Sequence, residues 1–151
     1  MNRLANLAAA CAATLGLVLA ASCGDSTGPN STRDVNGNWT LAATYNSAQL
    51  QTTCTLNGSV SIAQTGTTFT GQVSGSVASC TGPGGTTSGS GDGPITGGQI
   101  SGNTLSYSDA ECTYTGTISG SPANRVDGSV SCNVAIGGTT YPFNGTWQIS
   151  R

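Results

Sequence analysis

Apolar and polar side chains alternate with a period of two through most of the chain after residue 36. Along 39–45 and again along 141–149, apolar or small residues hold every second position, and mostly Ser, Thr, Asn or Gln stand between them. Successive side chains of a β-strand point to opposite faces, so the pattern is typical of strands with one buried and one solvated face. No helical stripe competes with it. The sequence therefore predicts an all-β fold.

Short Gly- and Asn-containing sequences divide the alternating segments. Thr65-Gly66, Gly102-Asn103 and Gly137-Gly138 suit two-residue hairpin turns, because Gly and Asn tolerate positive φ, and 121–124 suits a four-residue turn. The predicted strands lie near 37–46, 52–64, 67–78, 94–101, 104–109, 112–120, 124–136 and 139–150. An even number of strands brings the first and last together antiparallel, which predicts an eight-stranded up-and-down antiparallel β-barrel. A two-sheet β-sandwich is the alternative.

The predicted turns also set the register of the strands. Large inward residues then face glycines across neighbouring strands, as the narrow interior of a small barrel requires. The predicted pairs are Gly128 with Trp147, Val130 with Gly145, Val60 with Gly71, Leu56 with Gly75, and Gly98 with Tyr107.

Four cysteines within the predicted barrel form an even set. Counting along the hairpins puts Cys112 directly across from Cys132, and it puts Cys54 opposite Val77 and close to Cys80. Out of the three pairings that four cysteines permit, we therefore predict the disulfides Cys54–Cys80 and Cys112–Cys132. Disulfides persist in oxidising compartments, so this prediction indicates an exported protein.

The start of the chain has the layout of an export signal. Arg3 precedes an uncharged, Ala-rich apolar run that extends to Ala21, which favours a secretory signal over a membrane-spanning helix. The run ends in Leu19-Ala20-Ala21-Ser22-Cys23, which resembles the lipobox of bacterial lipoproteins. The resemblance implies cleavage before Cys23 and a lipid on its sulfur. Ordinary cleavage there, with Cys23 left as a free thiol, is the alternative.

Cysteine parity favours lipidation, because Cys11 leaves with the signal and a lipidated Cys23 leaves an even set to form disulfides. The predicted organisation is a signal peptide at 1–22, a lipidated flexible tether at 23–36 and a β-barrel domain at 37–151. In the lipoprotein family, an Asp directly after the Cys tends to retain the protein in the inner membrane. Here that residue is Gly24, so the resemblance implies a lipid-anchored protein of the cell envelope, in the outer membrane.

Charged residues make up 7% of the chain, and it contains no Lys and no His. Three arginines beyond the signal leave no basic footprint for nucleic acid. Without His, the commonest general base and a common metal ligand are missing, and the cysteines lack the Cys-x-x-Cys spacing of zinc sites. We therefore predict neither an enzyme nor a cofactor or metal site, and we expect a monomer.

The sequence Gly37-Asn38-Trp39 at the opening of the first strand, with Arg151 at the end of the last, resembles the lipocalins and, more loosely, the avidins. In lipocalins this Trp packs against an Arg at the closed end of the barrel. The resemblance implies a calycin-type barrel that is closed at this end, where the tether and Trp147 are also expected.

The other end of the predicted barrel collects Tyr45, Asp109, Tyr141, all four barrel cysteines and the Gly-rich loop 81–93. Asp109 falls on the inward face and is interpreted as a solvated loop carboxylate, with a pocket group or a weak Ca²⁺ ligand as alternatives. The possible ligand-binding residues are Tyr45, Tyr107, Asp109, Tyr114, Tyr141 and Phe143. The alternative is that the tyrosines are ordinary core and rim residues.

These features predict a membrane-anchored exported lipoprotein of structural or interaction type, without a catalytic site. The alternative is a lipocalin-like carrier that binds a small apolar ligand at the barrel mouth. The expected partners are the membrane, through the lipid, and either a small apolar ligand or an envelope or surface protein. A cavity above roughly 300 Å³ would favour the carrier, and an interior filled by side chains would count against it.

Overall fold

The computed structural model describes residues 32–151. The predicted signal peptide, the lipidation site Cys23 and most of the predicted tether lie outside these residues. The described chain forms nine strands: β1 Gly37–Ser47, β2 Thr52–Thr65, β3 Thr68–Gly82, β4 Gly85–Gly89, β5 Gly93–Ser101, β6 Thr104–Ser108, β7 Cys112–Ser119, β8 Arg125–Ile136 and β9 Thr139–Ser150. Between residues 32 and 151 there is no helix long and apolar enough to cross a membrane.

Eight of the strands form a closed antiparallel barrel with up-and-down connections. Each of β1, β2, β3, β5, β6, β7, β8 and β9 pairs with the next, and β9 pairs with β1 to close the circle. The predicted barrel is confirmed, and the sandwich is not formed. We call the end with the turns at 66–67, 102–103 and 120–124 the closed end, and the end with the turns at 109–111 and 137–138 the open end.

The ninth strand, β4, lies within the segment predicted as a Gly-rich loop. It forms a hairpin with the last residues of β3, which extends four residues beyond its predicted end. Because β5 pairs with the first half of β3, β4 and β5 lie along the same side of β3 and are separated by Ser90–Asp92. The edge of β3 is thus paired with two successive strands, β4 and β5, with an interruption between them.

The predicted register of β8 and β9 is confirmed: Gly128 lies opposite Trp147, and Val130 lies opposite Gly145. A Cβ added to Gly128 would come within 2.6 Å of Trp147 Nε1, so the indole occupies the space that a larger residue would need. Small residues facing large ones therefore fill this part of the interior, as the sequence predicts.

The predicted register of β2 and β3 is wrong. The turn residues are Gly66 and Thr67, with Gly66 at a φ of 59°, so the pairing shifts by two residues at this turn. Further along, a bulge places both Gly75 and Ser76 of β3 opposite Gly58 of β2, and this shifts the pairing by one more residue. Two predicted pairs are replaced as a result: Val60 faces Val73 and not Gly71, and Leu56 faces Ala78 and not Gly75.

Gly98 is not paired with Tyr107 as predicted. The ladder between β5 and β6 extends only from Ser101↔Thr104 to Gln99↔Ser106. Gly98 instead pairs with Phe69 of β3, whose ring occupies the space where a Cβ would stand. A large residue still faces this glycine, but it comes from the other neighbouring strand.

Both predicted disulfides form, Cys54–Cys80 and Cys112–Cys132, and in each the two cysteines are direct cross-strand partners. Both bridges lie towards the open end. Cys54 sits directly opposite Cys80, not beside it, because the turn shifts the register by two residues and the β3 bulge shifts it by one more.

The closed end is sealed by Trp39 and Arg151. The Arg151 guanidinium lies 4.3 Å from the centroid of the Trp39 ring, and Trp39 Nε1 donates a hydrogen bond to the Val35 carbonyl at 2.9 Å. Val35 is 0% exposed, so packing begins inside the segment predicted as a tether. Trp147, expected at this end, lies nearer the middle of the barrel with its ring edge-on to those of Tyr107 and Tyr114.

Candidate binding site at the open end of the barrel

The barrel wall parts between β5 and β6. Their ladder ends at Gln99↔Ser106, although β5 begins at Gly93 and β6 continues to Ser108, where it remains paired with β7. β4 pairs only with β3. Towards the open end, the 91–95 segment and the 107–109 segment therefore face each other without a ladder between them.

A small cavity opens at this gap, and we call it the mouth pocket. Its volume is about 80 Å³. It is lined by Leu41, Ala43, Tyr45, Leu56, Val73, Gly91, Gly93, Pro94, Ile95, Tyr107, Asp109 and Tyr114. The lining is therefore aliphatic and aromatic, with three phenol hydroxyls and one carboxylate as its polar side-chain groups, which is the usual character of a small-molecule site.

Below the mouth pocket, the barrel interior is filled by side chains. Among Leu41, Phe69, Leu105 and Trp147 only about 10 Å³ remains empty, roughly the space of one water molecule. The mouth pocket thus has a solid floor. Pockets that enclose a whole drug-sized ligand measure roughly 300–1,000 Å³, so this one is too small to enclose such a molecule.

Two stacked tyrosines form one wall of the mouth pocket. Tyr107 and Tyr114 are cross-strand partners on β6 and β7, with ring centroids 4.3 Å apart and ring planes within 7° of parallel. The Trp147 ring meets both edge-on at 6.1 Å. On another wall, Tyr45 meets Phe143 edge-on at 6.2 Å. Because each ring is held by a second ring, these walls are preorganised.

The hydroxyls of Tyr45, Tyr107 and Tyr114 have no hydrogen-bond partner among residues 32–151. Burial raises the pKa of all three phenols, and the Asp109 carboxylate raises the pKa of Tyr107 and Tyr114 further. The three hydroxyls are therefore neutral at physiological pH, and each can donate and accept a hydrogen bond.

Asp109 is held in place by the turn between β6 and β7. Its Oδ1 accepts hydrogen bonds from the backbone N–H of Glu111 at 2.9 Å and of Cys112 at 2.6 Å. The residue is exposed, as predicted, and it also lines the mouth pocket. Within the described chain, no three His, Cys, Asp or Glu side chains lie close enough together to hold a metal ion. Asp109 and Glu111 therefore have no third such side chain beside them.

The opposite wall, at the break between β4 and β5, is held by a second carboxylate. Asp92 Oδ1 accepts hydrogen bonds from the Ser76 N–H at 2.7 Å and the Ser76 hydroxyl at 2.6 Å, and Gly91 N–H donates to Ser76 Oγ at 2.8 Å. These bonds, chiefly those from Ser76, lower the pKa of Asp92. They fasten the 90–92 segment to the β3 bulge and so position Gly91 at the pocket.

Four of the six predicted ligand-binding residues line the mouth pocket together: Tyr45, Tyr107, Asp109 and Tyr114. Phe143 is buried behind Tyr45, and Tyr141 is half-buried opposite Val134 on β8, so neither belongs to the lining. Ligand binding by any of these residues stays a prediction. The sequence reasoning missed the wall built by the 91–95 segment, for which the alternation pattern contains no signal.

No protein-family model and no curated protein matches the chain. Among solved structures, it is similar to the zebrafish ileal bile acid-binding protein in complex with cholic acid, at 15% identity over 74% of this chain and 95% of that one, with a TM-score of 0.31. It is also similar to a putative AttH from Nitrosomonas europaea, at 9% identity over 74% of this chain and 49% of that one, with a TM-score of 0.31. TM-scores this low carry no argument about a ligand. The predicted likeness to lipocalin-type barrels therefore rests on the eight-stranded topology and on the packing of Arg151 against Trp39 at the closed end.

Proposed function

We propose that the protein is a non-catalytic binding module of the cell envelope, anchored by a lipid on Cys23, which takes one end of a small ligand with an apolar part into the mouth pocket. The observation that carries the proposal is the pocket itself, an aromatic cavity with a solid floor and three phenol hydroxyls without protein partners. The three hydroxyls are accessible to solvent, so a ligand in the pocket can replace their hydrogen bonds to water with its own.

The size of the cavity separates this proposal from a carrier that encloses its cargo. With about 80 Å³ at the mouth and about 10 Å³ below it, the barrel has room for a ring or a short branched group. The rest of the ligand would extend outward through the gap between β5 and β6. Such a site recognises the end of a molecule and leaves the rest of it accessible.

The direction of the chain determines which end of the barrel the proposed anchor would join. β1 begins at the closed end, beside Trp39, and the chain reaches it through Val35. A membrane anchor before this point would attach at the closed end, so the mouth pocket would face away from the lipid. To test the anchor, the Cys23→Ser form is compared with wild type in membrane fractionation of the expressing cells. Unchanged partition into the membrane would contradict lipidation.

Occupation of the mouth pocket can be tested by NMR titration of the purified barrel domain with benzyl alcohol. We expect saturable shifts confined to the amides of the lining residues. Ala43→Met would fill the pocket floor and abolish these shifts. Ala42→Met is the matched control, because the same substitution then falls on the outer face of the same strand.

Two results would contradict pocket binding by the barrel. One is the absence of any saturable shift with benzyl alcohol or with charged compounds of the same shape. The other is equal binding by the Ala43→Met and Ala42→Met variants, which would place the ligand elsewhere.

A further inference from the structure

The charged side chains of the described barrel are unevenly distributed between its two ends. All three arginines of residues 32–151 lie at the closed end. Arg125 forms an ion pair with Asp127 at 2.6 Å, Arg151 lies against Trp39, and the carbonyl of Arg33 accepts a hydrogen bond from the side chain of Gln64 at the end of β2. Around the mouth pocket the charged groups are all acidic, namely Asp92, Asp109 and Glu111.

The arginines are too far from the mouth pocket to neutralise it. Arg125 opens β8, and Cys132, the partner of Cys112 beside Glu111, lies seven residues further along the same strand. At about 3.3 Å per residue this is roughly 23 Å. Because the Debye length in physiological salt is about 8 Å, the Asp109 carboxylate has no effective countercharge within the described chain.

The polar groups of the mouth pocket are suited to accept hydrogen bonds. Asp109 uses Oδ1 for its own turn, and Oδ2 has no partner among the described residues. The three phenol oxygens carry free lone pairs, and aromatic ring faces attract cations. The acid and the stacked pair are close enough for the carboxylate to raise the pKa of both Tyr107 and Tyr114.

We infer that the end group received by the mouth pocket is a cation, an organic ammonium on an apolar stem. This rests on the proposed function and names the ligand class for that same site. An ammonium group has three N–H donors and no acceptor, which matches a carboxylate oxygen beside phenol oxygens. The apolar stem contacts Leu56, Ile95 and Val73, which supply the aliphatic walls.

An anionic end group fits the same pocket poorly. It would bring a second negative charge next to Asp109 with no Lys or Arg nearby, and like charges at such a site are mutually unfavourable. A neutral group would fill the space and leave the Asp109 carboxylate without a charged partner. The pocket therefore discriminates by charge among ligands of equal shape.

The test compares three ligands that share one ring and differ in charge at pH 7: benzylammonium, benzyl alcohol and benzoate. Dissociation constants are measured by NMR titration of the purified wild-type protein. We expect benzylammonium to bind at least about tenfold more tightly than benzyl alcohol, since a charge-assisted hydrogen bond and a cation–π contact are lost with the charge. Benzoate should bind most weakly.

Asp109→Asn isolates the charge, because the amide oxygen can still accept the two turn hydrogen bonds. In this variant we expect the preference for benzylammonium over benzyl alcohol to fall to about twofold or less. Glu111→Gln is the matched control: it removes an acid two residues away whose side chain is exposed and does not line the pocket. The control should keep the wild-type preference within about twofold.

The outcomes separate this inference from the proposed function. Equal affinity for benzylammonium and benzyl alcohol, or tighter binding of benzoate, would overturn the cationic ligand and leave the binding site standing. Saturable binding of none of the three would overturn both. If Asp109→Asn kept the full preference while it stayed folded, the charge selectivity assigned to Asp109 would be wrong.

Discussion

The two ends of the barrel satisfy their polar groups to different degrees. At the closed end, Trp39 Nε1 donates to Val35, and the Arg151 guanidinium donates to the carbonyls of Ala123 and Asn36 while it covers the Trp39 ring. At the open end, three tyrosine hydroxyls have no partner within residues 32–151, and neither does the buried hydroxyl of Ser47.

At the open end, covalent bonds add stability where these hydrogen bonds are missing. Both disulfides cross strand pairs there, beside the place where the ladder between β5 and β6 stops. A disulfide limits the freedom of the unfolded chain whatever the polar groups nearby do, so it stabilises a region whose side chains are left unpaired. The closed end is therefore held by hydrogen bonds and a cation–π contact, whereas the open end is held by disulfides and leaves its tyrosine hydroxyls without partners in the described chain.

The largest expected effect is at the closed end, in Trp39→Ala. Trp39 is 2% exposed, and burial of an indole that also makes a hydrogen bond and a cation–π contact leaves a large cavity when it is removed. We expect a loss of about 3–5 kcal/mol in the free energy of unfolding, measured by denaturant titration. Tyr114→Phe at the open end is the comparison and should change stability by less than about 0.5 kcal/mol, because no protein partner of its hydroxyl is lost.

A loss below about 1 kcal/mol for Trp39→Ala would contradict this difference between the ends, since it would mean that the contacts of Trp39 do not stabilise the closed end. A loss for Tyr114→Phe as large as that for Trp39→Ala would also contradict it.

The next effect is at the open end, in the double variant Cys112→Ala/Cys132→Ala. This disulfide joins residues 20 positions apart, and a loop of this length corresponds to about 3 kcal/mol. We expect that loss in denaturant titration, and amides that exchange through global unfolding should exchange faster at both ends of the barrel. An unchanged free energy of unfolding would contradict a stabilising role of this disulfide.

The sequence predicted best those parts of the fold where alternation and turn residues act together. The Gly137-Gly138 turn determined the register of β8 and β9, and each glycine in these strands had a large partner by which the register could be tested. The same reasoning placed two pocket residues, Tyr45 and Asp109, at one end, because strand direction and inward alternation are enough to decide height and face.

The parts that could not be predicted depend on single residues that change the strand register. The turn at Gly66-Thr67 shifts the pairing of β3 by two residues and the Gly75–Ser76 bulge shifts it by one more, which brings Cys80 directly opposite Cys54. The segment 85–89 has the composition of a loop, yet it forms β4, since the extended end of β3 offers it a free edge. No local pattern marks either feature, so the gap between β5 and β6 could not be inferred.

Two buried serines, Ser47 at the open end and Ser76 at the pocket wall, allow a test in which the expected change in stability is smaller. Ser47 is 1% exposed and its hydroxyl has no partner within the described chain, whereas Ser76 is 6% exposed and bonds to both Asp92 and Gly91. We expect Ser76→Ala to lose about 1–2 kcal/mol and Ser47→Ala to be neutral or to gain up to about 1 kcal/mol. Both are read by denaturant titration. Equal losses would show that the Ser47 hydroxyl is satisfied after all.

The smallest effect is local and depends on pH. Hydrogen bonds from Ser76 lower the pKa of Asp92 below its ordinary value of 3.8, so the folded state favours the carboxylate. The stabilisation is therefore fully present above pH 3.8 and is lost as the pH falls through the lower pKa of the folded protein. We expect the amides of Gly91 and Ser76 to lose protection against exchange over this range, relative to their intrinsic rates, while the closed end keeps its protection near Trp39. Asp92→Asn should show reduced protection already at neutral pH and no further change on acidification. If acid instead released both ends together, the 90–92 wall would not be an independent unit, and the pocket it forms could not open without unfolding the barrel.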